Sequence, residues 1–328
     1  MNRVAVPPTL SPAALNPPVG PVVRMGGPTM GVSWSAQLVL PAGADGQAIQ
    51  AAVHEALNDL IGQMSGWEPD SDLCRFNDAA DGTWLEMPRG LLTVLDRALH
   101  WAAESDGAFD PTLGRLTDLW GFGSAGPRSR PVAGRELDGL WSQSGWRRLE
   151  RRGDALLQPG GLALDLSGIA KGYGVDLAAE TLVAAGVSHF LVEIGGELRG
   201  DGVRPDGQPW WVAIETPPGM PVEEPILVAL HGVALATSGD YRRFSMDEGR
   251  RRSHTIDPRT GAPVEQAAAS VSVVAATCMD ADALCTLLSV LGPDDGMAWA
   301  SERQVAAYWQ LRGEPERMTP AFAAMLED

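Results

Sequence analysis

At Ser167-Gly168 the chain changes period, and that change limits the folds open to it. Before it, Leu162, Leu164 and Leu166 alternate with other residues, which is strand spacing. After it, Ile169, Tyr173, Leu177 and Leu182 recur at helical spacing. A strand that turns tightly into a helix leaves backbone N–H groups without partners at the helix start, a place that suits an anion. Asp165 and Lys171 put opposite charges on either side of the turn. From these residues alone two readings are open. One is a phosphate or dinucleotide site; in the other, Asp165 caps the turn and Lys171 is solvated.

Elsewhere strands and helices are mixed without strict alternation, so the fold class is α+β. The spacing predicts a strand over 29–40, an amphipathic helix over 47–64 and a polar loop over 64–77, entered by an aromatic residue, in which Asp70 or Ser71 caps a short helix. A second helix is predicted over 88–105 and an exposed loop over 124–136. Further strands are predicted near 189–194, 210–214, 226–230 and 270–276, with a helix from Cys278 to Leu291 after the last. Residues 1–24 are rich in Pro and read as a flexible tail, leaving 25–328 as one domain.

The 328 residues are 45% hydrophobic, enough for a sizeable core. A net charge of −17 argues against a general nucleic-acid binder, which needs clustered Lys and Arg; the main basic run is only Arg250-Arg251-Arg252. The three cysteines, Cys74, Cys278 and Cys285, have no zinc-type spacing and are too few for a disulfide framework. No stretch is long and apolar enough to span a membrane, and the N-terminus lacks the pattern of a secretory signal. That points to the cytoplasm.

Two places could carry chemistry. Asp282 and Thr286 are i and i+4 on the helix after Cys278, so both oxygens share one face, a pairing suited to a hard ion such as Mg2+; an Asp paired with the helix dipole and a Thr bonding back onto its helix is the alternative. Thr277 and Asp280 fit ordinary capping of that helix. His254 sits among polar loop residues, where an imidazole with a pKa near neutrality suits a general base; a solvent-facing loop histidine is the alternative. His54, His100 and His189 fall within or beside regular elements and read as structural, and His231-Gly232 as a turn.

Nine segments, in order over residues 30 to 283, together resemble the ApbE family of flavin transferases. They are Met30-Gly31, Met64 to Asn77, Asp106 to Asp110, Leu119 to Gly123, Asp165 to Asp176, Glu193 to Glu197, Thr237 to Tyr241, Ser253 to Pro258, and Met279 to Ala283. The resemblance implies an ApbE-like α+β fold of mixed sheets packed with helices, with FAD in a cleft between two lobes. It implies an enzyme that takes FAD and Mg2+ and moves FMN onto a Thr or Ser hydroxyl of an acceptor flavoprotein, releasing AMP. By position, Asp282, Thr286 and the Gly168 carbonyl are the implied metal ligands and His254 the implied base. The implied FAD contacts are Met30, Trp67, Ala108, Phe109, Asp110, Asp165, Lys171 and Ile256.

Four positions depart from the family pattern: Trp67 for a frequent Tyr, Val32 for a common Thr, Cys285 where some members carry Asp, and Gly168 for a residue with a side chain. Many members are exported or lipid-anchored, so a periplasmic or inner-membrane location is the alternative to the cytoplasm. Two other activities fit the same residues. One is a pyrophosphatase giving FMN and AMP, and the other a flavin-binding protein without catalysis.

Overall fold

The structure is a computed structural model and describes residues 3–9, 11–128, 130–221, 224–241, 244–247, 250–265 and 268–326. Its centre is an eight-stranded sheet in which every strand lies antiparallel beside its predecessor. In chain order these are β1 (Val22–Thr29), β2 (Val32–Val39), β3 (Phe190–Ile194), β4 (Glu197–Asp201), β5 (Val233–Gly239), β6 (Ser270–Ala275), β7 (Ala306–Gln310) and β8 (Arg317–Met318). Four long helices accompany it: α1 (Gly46–Met64), α2 (Arg89–Glu104), α3 (Ala170–Ala184) and α4 (Cys278–Glu302).

Strand periodicity sorts the sheet into two faces. Phe190 and Val192 of β3 join a core with Val53 and Leu57 of α1 and Val175 and Ala178 of α3. Leu191, between them, packs into a second core with Trp210, Val228 and Phe322. That second core is covered by a small sheet in which Ile226–Leu230 lies between Arg3–Ala5, parallel to it, and Trp210–Ala213, antiparallel to it. The architecture is therefore α+β with mixed sheets.

Several expected boundaries shift for local reasons. The strand expected over 29–40 begins at Val32, because Met30 and Gly31 form a two-residue turn with positive φ (47° and 72°) joining β1 to β2. The start expected as a tail includes Arg3–Ala5 paired to Ile226–Val228; Ala5 is fully buried and Val6 N–H donates to the Met325 carbonyl. The loop expected over 124–136 gives way at its end to a helix, Gly134–Trp141. In α4, Gly292 (φ 77°) before Pro293 breaks the helix just after Leu291, and a further segment continues to Glu302.

The stretch before the Ser167-Gly168 turn is extended but joins no sheet, making a single bridge between Ala163 and Leu113. Asn77 replaces a partner strand: its side-chain N–H donates to the Leu164 carbonyl at 3.0 Å, and its oxygen accepts from Leu164 N–H at 2.7 Å. Leu162, Leu164 and Leu166 are all buried, which explains their strand-like alternation without a ladder.

Candidate active site

The α3–α4 junction forms one wall of the site. Gly172, in the first turn of α3, is where the two helices touch: a Cβ there would lie 2.2 Å from the Cys278 carbonyl oxygen and 2.8 Å from Asp282 Cβ. Only glycine permits that approach. Asp282 is 3% exposed, and its Oδ2 accepts from Gly172 N–H at 2.9 Å. The helix start expected to attract an anion thus already holds one, a carboxylate supplied from 110 residues downstream. Thr286 lies one turn beyond Asp282, and a Cβ on Gly168 would stand 2.9 Å from its Oγ1. The glycine here brings the Thr286 hydroxyl close to the turn backbone.

Buried charge concentrates beside this junction. The Lys171 ammonium is bonded to Glu197 of β4, which is 3% exposed. Burial alone would pull the Lys171 pKa down, but the charges of Asp282 and Glu197 outweigh it and hold the ammonium protonated. Glu197 is pushed up to about 7 by burial, against the opposing pull of Lys171. Asp282 is likewise raised by burial, with Lys171 and the Gly172 N–H opposing.

Of the second reading of the opening turn, one half holds. Asp165 caps it, Oδ1 accepting from Ser167 N–H at 2.9 Å and Oδ2 from the Thr117 hydroxyl at 2.8 Å. Lys171 is paired with Glu197, its side chain 34% exposed. Asp110 turns onto its own segment, accepting from the Thr112 amide (2.8 Å), the Thr112 hydroxyl (2.6 Å) and Trp146 N–H (3.1 Å). Burial still raises its pKa, those three donors opposing.

The facing wall is aromatic and carried on loops. Trp67 is 53% exposed, its N–H donating to the Ser65 hydroxyl in the turn after α1. Met30 holds a left-handed backbone that non-glycine residues seldom adopt, and its side chain packs against both cores beneath the helices. Ala108 and Phe109 are buried just past the end of α2. His254 follows the strand Arg250–Ser253 and meets Phe122 edge-on, ring centroids 6.4 Å apart. Ile256 is buried with Phe122 and Leu116, and its hairpin is pinned by Trp120 and Trp141, whose indole N–H groups donate to the carbonyls of Gly261 and Pro258 at 2.8 Å.

All the expected site residues line one cavity of about 1120 Å3: His254; Gly168, Asp282 and Thr286; and Met30, Trp67, Ala108, Phe109, Asp110, Asp165, Lys171 and Ile256. That is ample for a ligand larger than an ordinary small molecule. The Gly168 carbonyl, the Asp282 carboxylate and the Thr286 hydroxyl make an all-oxygen set with one negative charge. Such a set fits a small hard cation that keeps positions for substrate oxygens or water. Among the described residues no three His, Cys, Asp or Glu side chains converge as a metal site, so protein carboxylates alone form no cage. Cys285 is fully buried, and its thiol donates to the Ala236 carbonyl of β5 at 3.3 Å.

Some contributors carried no sequence signal for their roles. Thr117, Glu197 and Phe122 act on Asp165, Lys171 and His254 from distant segments. Glu197 lay inside a recognised motif, yet nothing in its spacing pointed to Lys171.

The chain belongs to the ApbE family, whose sequence model matches residues 30–309. A relative from Vibrio cholerae, an FAD:protein FMN transferase, is 38% identical over 86% of this chain and 85% of its own length. An Escherichia coli K12 protein of the same name is 32% identical over 93% of this chain and 89% of its own. Among solved structures, the apo flavinyl transferase ApbE of Pseudomonas stutzeri superposes with a TM-score of 0.86 at 37% identity, covering 93% of this chain and 96% of that one. The flavin transferase ApbE of Vibrio cholerae gives 0.83 at 34%, covering 93% and 99%. Among the described residues no helix is long and apolar enough to cross a membrane.

Proposed function

We propose that this chain is an FAD:protein FMN transferase that uses Mg2+. The observation that carries the reading is the meeting, in one cavity, of His254, the oxygen donors of the α3–α4 junction and an aromatic wall. Trp67 and Met30 would pack on the flat rings of FAD, with Ala108, Phe109 and Ile256 completing an apolar lining. Lys171, held protonated by Asp282 and Glu197, would lie against the pyrophosphate. Asp282, Thr286 and the Gly168 carbonyl would hold Mg2+, which when bound offsets charge developing on the phosphoryl oxygens.

His254 would accept the proton of an acceptor Thr or Ser hydroxyl as that oxygen attacks the flavin-side phosphorus. A phosphoester bond forms, the pyrophosphate P–O bond breaks, and AMP departs. The partner is thus an acceptor flavoprotein bearing the target hydroxyl.

Incubation with FAD, Mg2+ and a candidate acceptor domain tests this directly, the expected result being a flavin-fluorescent acceptor band on a denaturing gel. AMP release without a labelled acceptor would replace transfer by FAD hydrolysis. FAD binding with neither product would leave a flavin binder.

A further inference from the structure

Helices α3 and α4 exchange carboxylates at their N-termini. Asp282 of α4 closes the start of α3 through Gly172 N–H at 2.9 Å. Asp176 of α3, 4% exposed, closes the start of α4: Oδ1 accepts from Cys278 N–H at 3.0 Å and Oδ2 from Met279 N–H at 2.9 Å. Each helix supplies the negative charge that the other's positive end favours, with both carboxylates out of water. α3 is itself tied to β4 by two ion pairs, Lys171 to Glu197 and Asp176 to Arg199, the latter at 2.7 Å.

We propose that Asp176 is a positioning residue for the metal site, acting through the placement of α4 rather than by touching the metal or substrate. Ordinary capping of α4 is already supplied by Thr277, whose hydroxyl accepts from Asp280 N–H at 3.2 Å. Asp176 does something else: it grips the first two amides of α4 from a neighbouring helix and so sets α4 against α3. Asp282 is one turn after Cys278, and Thr286 one turn further. The Gly168 carbonyl lies just ahead of α3. The separation of the three donors is therefore the separation of the two helix starts, which Asp176 clamps. Groups that orient ligands without contacting a metal typically change metal affinity by about 10- to 100-fold when removed.

The inference rests on the proposed Mg2+ site and is tested by binding, not turnover. Mn2+ is titrated into the full chain with ADP present, unbound Mn2+ being read by electron paramagnetic resonance and corrected for the Mn2+–ADP complex. Asp176→Asn is expected to raise the Mn2+ dissociation constant about ten-fold or more. Thr277→Ala removes the ordinary cap; it is expected to lower the melting temperature and leave the constant unchanged. Wild-type affinity in Asp176→Asn overturns the inference alone, as does weakening in both variants in step with their melting temperatures. A wild-type chain that binds no Mn2+ overturns the metal site and the inference together. If Asp176→Asn does not fold, Asp176→Ser, which keeps one oxygen acceptor without the charge, is judged by the same outcomes.

Discussion

On the α3–α4 side of the cavity the carboxylates of Asp282 and Glu197 are buried and bonded within the protein, whereas on the facing side Trp67 is 53% exposed and His254 lies in the short link between the strands Arg250–Ser253 and Ile256–Asp257. The first wall holds charge in fixed places. Asp282, Glu197 and Asp176 are each less than 5% exposed, and each is met by a backbone N–H or a cationic side chain. The second wall offers flat apolar surface and a titratable ring. Phosphoryl chemistry is served by preorganised charge that needs no rearrangement as the reaction proceeds. Recognition of a flavin ring and admission of a protein hydroxyl are served by surface that solvent and partner can reach. Under the proposed function, the contrast separates the wall that would fix the nucleotide's phosphates from the wall that would meet its rings and its acceptor.

The largest effect should come from the loop wall. His254→Ala is expected to lower flavin transfer by about 10^2- to 10^4-fold while FAD still binds, read as acceptor fluorescence against FAD titration. Retained labelling would remove His254 from the base role.

Gly172→Ala breaks the other wall. Its methyl would meet the Cys278 carbonyl at 2.2 Å, and the strain should destabilise the fold by about 1–3 kcal/mol in chemical denaturation. An unchanged midpoint would mean that the helices separate freely.

Glu197 gives that wall a pH signature. Burial raises its folded-state pKa from 4.5 to about 7, so the folded protein holds this proton more tightly than the unfolded chain. Its contribution is therefore full below about 4.5, falls as pH rises towards 7 and is constant above, a change on the order of 3 kcal/mol. In Glu197→Gln that decline should flatten; an identical pH–stability slope in both proteins would refute the assignment.

The smallest effect should be that of Trp67→Ala, which removes exposed stacking surface. FAD affinity is expected to weaken by about 0.5–1.5 kcal/mol, with little change in the saturated rate. A rate loss at saturating FAD would show that Trp67 also orients the reacting phosphate.

Much of the loop wall was legible residue by residue. A histidine among polar neighbours and an aromatic residue entering a polar loop are local signals, and both line the cavity. Asp282 and Thr286 were legible because i and i+4 share a helix face. The bracing was not. Asp176 reaches amides 102 and 103 positions away, and Glu197 reaches Lys171 across 26. Asp110 lines the cavity, and its motif carried no signal that its carboxylate accepts from Thr112 and Trp146.

The sequence by itself indicated the four long helices, three of the eight central strands and the residues that could do chemistry, because those depend on period, capping and side-chain type. Tertiary structure decided which of them meet. The turn at Ser167-Gly168 was an anion site in outline, but only folding showed that the carboxylate of Asp282 occupies the following helix start and that Glu197 takes the nearby lysine. Local propensity acts over a few residues, while burial of charge is settled by whichever donors the packed chain brings within about 3 Å.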